Sequence, residues 1–306
     1  MNGRVVVTAN AIVDLLLSVP RLPAAGGDVV AEASGSAVGG SGYNAAVAAA
    51  RAGAEVLYAG PHGTGPFGDR VRAALAQEGI AVALPACPGA DTGFSVALVT
   101  PDGERTFATA PGAEAGATAR DLAAIRLLPG DVVHVSGYNV CYSEAVTAWL
   151  DGLDGSGGPG GHGAASGNDG GGPVVVFDPG PLLGSIPPDR LARALRRADW
   201  VTANEPESAQ LALLSGAAGL AVMAADGDPN DPAGIAAGLA RDRAGAIVRL
   251  GANGCVVAVP GAHPVHLAAP QVEAVDTNGA GDCHTGTFMA GLALGLDPVE
   301  AARRAG

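Results

Sequence analysis

Residues 276–282 read DTNGAGD and lead into a stretch of small residues that predicts a helix. Glycines at a helix start leave backbone N–H groups uncovered, and the helix dipole adds partial positive charge there. The amides of Gly279, Ala280 and Gly281 could therefore hold a phosphate, or the charge that develops during phosphoryl transfer. Asp282 beside them could accept the proton of an incoming hydroxyl. The structural alternative is a glycine-rich turn in which Asp282 caps the helix.

A second group of candidate residues lies near the N-terminus. Gly39 and Gly40 precede an alanine-rich helical stretch, where glycines permit a ligand to approach the backbone closely. Asn44 offers a donor and acceptors to hydroxyl groups. The run from Gly40 to Ala45 also fits the loose dinucleotide fingerprint G-x-G-x-x-A, although it is not the first βα turn of the chain. Asp14 is either a turn residue or an acceptor for sugar hydroxyls, and its place just beyond a strand favours the acceptor.

Two strand-to-helix turns carry further polar residues. Asn204 and Glu207 belong to the run NEPE, in which Asn204 could simply cap the next helix. Alternatively, Glu207 could help to organise a hydrated Mg²⁺ near phosphates. The run RLGANG begins at Arg249 and closes another predicted strand. Gly251 and Gly254 in it are compatible with a turn beneath a nucleotide, or with an ordinary turn.

Charge and composition exclude several classes of protein. The formal net charge of −13 argues against nucleic acid as a partner, since binding a polyanion needs a basic surface. The chain has no lysine, because its 17 basic residues are all arginine. P-loop NTPases, ordinary protein kinases, Schiff-base aldolases and pyridoxal-phosphate enzymes use a catalytic lysine and are therefore excluded. Any bound phosphate must be held by backbone amides, arginine and a divalent ion.

Cysteine usage and hydropathy indicate the compartment. The four cysteines, Cys87, Cys141, Cys255 and Cys283, are widely separated and form no C-x-x-C pair, which favours reduced thiols over a metal cluster. His284 could be a metal ligand, but a buried helix histidine is the simpler interpretation. The apolar runs are too short or too glycine-rich to span a bilayer, and the N-terminal run shows no export signal. We expect a cytoplasmic protein without membrane contact.

The elements that must position these residues follow an alternating pattern. Apolar β-branched runs alternate with Ala- and Leu-rich helical runs, which predicts one α/β domain over residues 1–306, with a doubly wound, mostly parallel sheet flanked by helices. The predicted strands are Arg4–Ala9, Glu55–Ala59, Val132–Ser136, Val174–Asp178, Trp200–Ala203 and Ala246–Leu250, with an antiparallel edge at Val256–Val259 and Val265–Leu267. The predicted helices are Gly42–Ala52, Phe67–Gln77, Ser143–Leu150, Pro188–Arg197, Glu205–Leu214 and Pro232–Arg241.

Three regions depart from this alternation. Residues 94–109 show a hairpin pattern with Asp102 and Gly103 at the turn, and residues 12–19 and 28–38 lack helical character. Segments at about 11–38 and 92–110 could together form a small β-sheet lid, or the hairpin could lie on the edge of the main sheet. Residues 154–172 are glycine-rich without an apolar period and predict a flexible surface loop.

At these motifs the sequence resembles the ribokinase-like carbohydrate kinases, the PfkB family, over nearly the whole chain. The resemblance rests on G-G-x-x-x-N at 39–44, N-x-x-E at 204–207, L-G-x-x-G at 250–254 and D-T-x-G-A-G-D at 276–282. It implies an ATP-dependent kinase that phosphorylates an alcohol, expected to be primary, of a sugar or sugar-like substrate. It also implies Mg²⁺, a possible monovalent cation such as K⁺, and a lid that can form a homodimer interface.

The resemblance implies a role for each motif residue. Asp282 would be the catalytic base, and the amides of residues 279–281 would form the anion hole. The substrate would be bound by Asp14, Gly39, Gly40, Asn44 and Asp276. The nucleotide would be bound by Asn204, Arg249, Gly251, Gly254 and Thr277, with Glu207 in the Mg²⁺ region. In-line transfer of the ATP γ-phosphoryl group is the expected mechanism.

The chain also departs from ribokinase itself. Ser41 and Ile12 stand where ribokinase has a lysine and an asparagine, which argues against ribose as the substrate. Cys283 and His284 follow the expected base where a small residue and phenylalanine are usual. With PDGERTF at 101–107 and SGY at 136–138, these departures look like an unassigned bacterial branch of sugar kinases.

Three alternatives remain at the level of sequence. A nucleoside kinase of the same fold would need aromatic side chains to stack a base, for which Tyr43, Tyr138 and Phe107 are the obvious candidates. A non-catalytic sugar- or nucleotide-binding regulator would be expected to lack Asp282. An NAD-binding oxidoreductase rests only on the run from Gly40.

Overall fold

The computed structural model describes residues 3–153, 172–217, 228, 231–273 and 277–306. In chain order, the strands of these residues are β1 (Val5–Val7), β2 (Ile12–Ser18), β3 (Ala33–Gly39), β4 (Val56–Tyr58), β5 (Ala81–Val82), β6 (Phe94–Val99), β7 (Arg105–Ala110), β8 (Val132–Ser136), β9 (Val174–Asp178), β10 (Trp200–Asn204), β11 (Gly245–Arg249), β12 (Cys255–Ala258) and β13 (Val265–Leu267). A large sheet has the order β13-β12-β11-β10-β9-β8-β1-β4-β5. Its strands are parallel from β11 to β5, and β12 and β13 add the predicted antiparallel edge.

Helices cover both faces of the large sheet. Within the described ranges they are α1 (Ser41–Arg51), α2 (Pro66–Gln77), α3 (Ala119–Ala124), α4 (Gly137–Tyr142), α5 (Glu144–Gly152), α6 (Pro188–Arg197), α7 (Glu205–Ala217), α8 (Pro232–Ala240), α9 (Ala280–Ala293) and α10 (Pro298–Ala305). Successive strand residues point to opposite faces. In β8, Val133 and Val135 pack in the core shared with α5 to α8, whereas Val132 packs in the core shared with α1, α9 and α10. The predicted doubly wound sheet is therefore confirmed.

Glycines let α1 and α9 approach each other closely. A Cβ on Gly286 of α9 would lie 2.2 Å from the backbone oxygen of Ala45 in α1. A Cβ on Gly42 of α1 would lie 2.3 Å from the backbone oxygen of Ala9, just after β1. No side chain fits at either position, because real Cβ atoms do not approach backbone this closely. This packing brings Asn44 of α1 beside the first turn of α9.

A second, small sheet consists of the remaining strands in the order β3-β2-β6-β7. The strand β2 pairs parallel with β6 and antiparallel with β3, and β6 and β7 form the predicted hairpin. Gly103 occupies its turn with φ +85°, a left-handed conformation that glycine adopts without strain. The pairing shows that residues 12–39 and 94–110 share one sheet rather than lying on the edge of the large one.

The short elements were the ones that sequence reasoning missed. They are β5, α3, α4 and α10, of which the longest has eight residues. Elements of two to eight residues show too few periods of apolar residues to be separated from loops. Of the predicted flexible loop at 154–172, only Gly172 lies within the described residues. No helix in the described ranges is long and apolar enough to cross a membrane.

Candidate active site

The first turn of α9 contains the predicted anion site. Gly279 precedes the helix with φ +72°, and a Cβ there would lie 2.7 Å from Nδ2 of Asn44. Both facts require glycine at this position. The N-cap is therefore Gly279, and the structural alternative in which Asp282 caps the helix is wrong, since Asp282 is the third helical residue. Gly279, Ala280 and Gly281 contribute the first amides of the helix, as predicted from the sequence.

Asp282 is held by a neighbouring amide. Nδ2 of Asn44 donates a hydrogen bond to Oδ2 of Asp282 at 3.0 Å. Burial raises the pKa of Asp282 to about 6, with a further contribution from Asp178, while the bond from Asn44 and the charge of Arg249 act in the opposite direction. A carboxylate with a pKa near 6 is mostly ionised at neutral pH and is basic enough to assist removal of a hydroxyl proton. The environment of Asp282 therefore suits a general base.

A buried ionic network lies beneath this first turn, at the carboxyl ends of β9, β10 and β11. Nη1 of Arg249 donates to Oδ2 of Asp178 at 2.7 Å, to Oγ1 of Thr285 at 2.8 Å and to Oγ1 of Thr202 at 3.1 Å. The hydroxyls of Thr202 and Thr285 each also donate to Asp178 at 3.0 Å. Burial alone would raise the pKa of Asp178, but Arg249 outweighs it and holds that pKa below its usual range. The network ties α9 to three strands.

Sequence reasoning missed three members of this network, Asp178, Thr202 and Thr285. Asp178 ends a strand that was predicted correctly, and the Pro-Gly pair after it marks a turn at the sheet edge. That signal was available, because polar residues at the carboxyl ends of parallel strands gather at one edge. The threonines gave no comparable signal, since Thr is common in strands and helices alike.

Asn204 and Glu207 interact with each other. The N–H of Asn204 donates to Oε2 of Glu207 at 2.9 Å, and the N–H of Glu207 donates to Oδ1 of Asn204 at 2.8 Å. This reciprocal pair is the predicted cap at the start of α7. Oε2 of Glu207 also lies 3.6 Å from Nη2 of Arg249, and burial raises the pKa of Glu207.

The described residues do not form a metal cage. No group of three or more His, Cys, Asp or Glu residues among them could hold a metal ion. Mg²⁺ in phosphate sites commonly keeps several waters and needs one or two protein carboxylates besides the phosphates. Glu207 alone therefore fits a hydrated, phosphate-bound Mg²⁺, and does not fit a fully protein-coordinated ion.

The predicted nucleotide loop follows β11. Gly251 has φ +56°, and no other atom lies within 4 Å of the position a Cβ would take, so this turn faces open space. Gly254 has φ +89°, and a Cβ on it would lie 1.9 Å from the backbone oxygen of Leu267. This close contact with β13 is enough to require glycine at position 254, without any ligand. Thr277 is exposed, and its carbonyl accepts a hydrogen bond from the N–H of Ala280 at 3.2 Å.

A cavity of about 160 Å³ separates the small sheet from the start of α9. Asp14, Leu16, Ala37, Val38, Gly39, Asn44, Ala97, Arg105, Phe107 and Asn278 line it. A Cβ on Gly39 would lie 2.2 Å from Oδ2 of Asp14, so glycine leaves room for this carboxylate, whose pKa burial raises. The structure thus brings together the predicted substrate residues Asp14, Gly39 and Asn44. Asp276 lies outside the described residues.

Two of the candidate residues, Gly40 and Tyr43, have surroundings that differ from the expected ones. Gly40 has φ +94° and follows β3 of the small sheet, whereas the dinucleotide fingerprint must follow a strand of a βαβ unit. Tyr43 was a candidate to stack a base, but it lies in α1 and packs, partly buried, against the core. After burial, Glu78 and Arg51 are the groups that perturb its pKa. His284 lies in α9, where burial lowers its pKa to about 4 and keeps it neutral.

Together, the doubly wound sheet and the small accessory sheet define the ribokinase fold, and the site adds an amide-lined helix start next to a carboxylate. The family model described as "pfkB family carbohydrate kinase" matches residues 2–157 and 163–306. The chain therefore belongs to the pfkB family and is an ATP-dependent carbohydrate kinase.

The chain is similar to named relatives along most of its length. It is 31% identical over 300 residues to the uncharacterized sugar kinase YegV of Escherichia coli K12, covering 97% of this chain and 84% of that protein. It is 30% identical over 306 residues to a fructokinase of Klebsiella pneumoniae, covering 96% and 85%. A ribokinase structure from Cryptococcus neoformans in complex with ADP has a TM-score of 0.72 at 24% identity, covering 99% and 91%, and shows the fold alone.

Proposed function

We propose that this kinase transfers the γ-phosphoryl group of ATP to a hydroxyl, expected to be a primary alcohol, of a sugar bound in the 160 Å³ cavity. One observation carries the proposal. Asn44 both lines the cavity and donates to Asp282 at 3.0 Å, so the proposed base lies next to the proposed acceptor site. A substrate hydroxyl that contacts Asn44 would therefore lie close to the carboxylate of Asp282, to which Asn44 is hydrogen-bonded. Correct placement of the acceptor supplies much of the catalysis in phosphoryl transfer.

In the proposed reaction, the acceptor is oriented by Asp14, Asn44 and the backbone at Gly39 and Gly40, with Asp276 as a further proposed ligand. Asp282 removes the proton of the attacking hydroxyl, a role that contributes about 10²–10⁴-fold in typical enzymes. The amides of residues 279–281 stabilise the charge of the transferring group. Loss of one such donor commonly costs about 3 kcal/mol.

The nucleotide is proposed to lie along the carboxyl edge of the large sheet. Its contacts would come from Asn204, Arg249, the turn at Gly251 and Gly254, and Thr277. Glu207 would hold a hydrated Mg²⁺, which when bound neutralises phosphate charge. The openness around Gly251 supports this placement, since a ligand can approach the backbone there.

The small sheet is proposed to act as a lid and as a homodimer interface. One of its faces lines the cavity through Asp14 and Leu16 of β2. On the opposite face, α2 covers only one end, where the rings of Phe67 and Phe94 lie 5.6 Å apart. At the other end, Leu17 and Leu98 pair directly and are only half-buried. A second copy would cover them.

A sugar is preferred to a nucleoside because of the cavity lining. Phe107 is the aromatic residue among the lining side chains, whereas Asp14, Asn44 and Asn278 are polar. Carboxylates and amides suit several hydroxyl groups, and a nucleobase would favour stacking surfaces.

The experiment is an assay of acceptor-dependent ADP release with Mg²⁺·ATP across pentoses, hexoses, keto-deoxy acids and nucleosides. We expect at least one sugar or sugar acid to be turned over faster than every nucleoside. The same ligands should raise the melting temperature, and NAD should not. Nucleosides as the best acceptors would replace the proposal with the nucleoside kinase. No acceptor-dependent turnover at all would overturn it.

A further inference from the structure

Tyr138 lies at the carboxyl edge of the large sheet, and its neighbours in the sequence fix its position there. It is the second residue of α4, directly after the central strand β8. Oδ1 of Asn139 accepts hydrogen bonds from the N–H and the hydroxyl of Ser136 at 3.2 and 3.0 Å, and its Nδ2 donates to the carbonyl of Thr8 at 3.0 Å. These bonds anchor the start of α4 to β1 and β8 at the carboxyl edge of the sheet.

The turn after β9 packs closely against the start of α4. A Cβ on Gly137 would lie 1.8 Å from the backbone oxygen of Pro179, so only glycine fits before Tyr138. Gly180 has φ +58°, and the Tyr138 ring lies 3.9 Å from the position of a Cβ there. The Tyr142 ring lies on another side, with centroids 6.2 Å apart. The Tyr138 ring is thus held between two neighbouring strand ends.

The hydroxyl of Tyr138 has no hydrogen-bond partner among the described residues, although the side chain is half-buried. After burial and Tyr142, the carboxylates of Asp282 and Asp14 raise the pKa of Tyr138 to about 12, and Glu207 also contributes. Two of these carboxylates belong to the proposed base and acceptor pocket. The phenol therefore stays protonated at neutral pH, as a donor without an acceptor at the carboxyl edge of the sheet.

We propose that Tyr138 determines acceptor specificity by donating a hydrogen bond from its hydroxyl to an oxygen of the bound sugar, with its ring packed against the C–H face of that sugar. The inference rests on the proposed function, because it places the acceptor between β2 and α9. A half-buried donor beside carboxylates gains a partner when a polyol binds. The ring supplies an apolar surface of fixed orientation.

The variants Tyr138→Phe and Tyr142→Phe form a matched pair. Each removes one phenolic oxygen and keeps the ring, and Tyr142 is 40% exposed at the far end of the same helix. Steady-state kinetics with the best acceptor should show that Y138F raises the acceptor KM by about tenfold, the effect of one hydrogen bond between uncharged groups. The KM for Mg²⁺·ATP and the melting temperature should not change, and Y142F should match the wild type. A structural defect would instead affect both substrates.

A set of deoxy analogues of that acceptor identifies the oxygen involved. For the analogue that lacks it, kcat/KM should be equal in the wild type and Y138F, because both have lost the same contact. An active wild type whose acceptor KM is unaltered in Y138F, or is altered equally in Y142F, overturns this inference alone. A wild type that phosphorylates no acceptor overturns the proposed function as well.

Discussion

Replacing Asp282 by asparagine separates catalysis from stability. Asparagine has nearly the same shape, and its side-chain oxygen can accept the bond that Nδ2 of Asn44 gives to Asp282 at 3.0 Å. The variant therefore removes the charge and the basic oxygen but keeps the contact. If Asp282 is the base, kcat should fall by about 10²–10⁴. In the wild type, kcat/KM should fall about tenfold per pH unit below the pKa of Asp282, about 6.

The same substitution should stabilise the protein. Raising a carboxyl pKa from 3.8 to about 6 means that ionisation costs the folded state at most about 3 kcal/mol. This cost is complete above pH 6, where the folded protein holds an ionised Asp282. It disappears below about pH 4, where the carboxyl is protonated in both states. D282N should therefore exceed the wild type in free energy of unfolding by up to about 3 kcal/mol at pH 8, and by little at pH 4.

Urea unfolding at pH 8 and pH 4, together with the coupled kinase assay, tests both parts. Asp189→Asn is the matched control, because Asp189 is an exposed carboxylate in the first turn of α6. The negative charge of Asp189 interacts favourably with the helix dipole. The D189N substitution should therefore lower the free energy of unfolding by about 0.3–1 kcal/mol and leave turnover unchanged. A folded D282N with near-normal turnover would refute the base assignment. A stability difference that is the same at both pH values would refute the burial argument.

Two further predictions concern the metal and the assembly. Glu207→Gln should raise the Mg²⁺ concentration needed for half-maximal activity about tenfold and leave the acceptor KM unchanged. If the wild type and E207Q need the same Mg²⁺ concentration, Glu207 does not help to bind the metal. The wild type should have the mass of a dimer by light scattering at micromolar concentration. Leu17→Lys should be a monomer, because a charge on this half-buried face opposes its burial against a second copy. A monomeric wild type would rule out the proposed interface.

Much of the fold could be predicted because its signals are local. The buried strands β8 to β11 are short, mostly apolar runs, and Asp102 and Gly103 mark the turn of the hairpin. The DTNGAGD run likewise predicted a helix start, and the structure has one at Gly279. In each case neighbouring residues decide the conformation, so the sequence alone suffices.

The network around Arg249 could not be predicted, because it depends on strand register. Arg249 of β11 pairs with Asn204 of β10. Because β9 lies on the other side of β10, Oδ2 of Asp178 comes within 2.7 Å of Nη1 of Arg249. Tyr43 shows the same limit on a helix. It is adjacent in sequence to Asn44, but a step of about 100° along α1 turns it away from the cavity that Asn44 lines.

The charge balance of the site explains how a chain without lysine can bind a polyphosphate. Arg249 is already committed to Asp178 at 2.7 Å and to Glu207 at 3.6 Å, so its positive charge is offset within the protein. Asp282 adds a further negative charge nearby, which opposes the approach of free nucleotide. The N–H of Ala280 donates to the carbonyl of Thr277 at 3.2 Å, and within the described ranges no carboxylate accepts a hydrogen bond from the amides of Gly279 and Gly281. In the proposed reaction, a divalent ion would supply the attraction that an ammonium group provides in other phosphotransferases, and the amides would orient the transferring group.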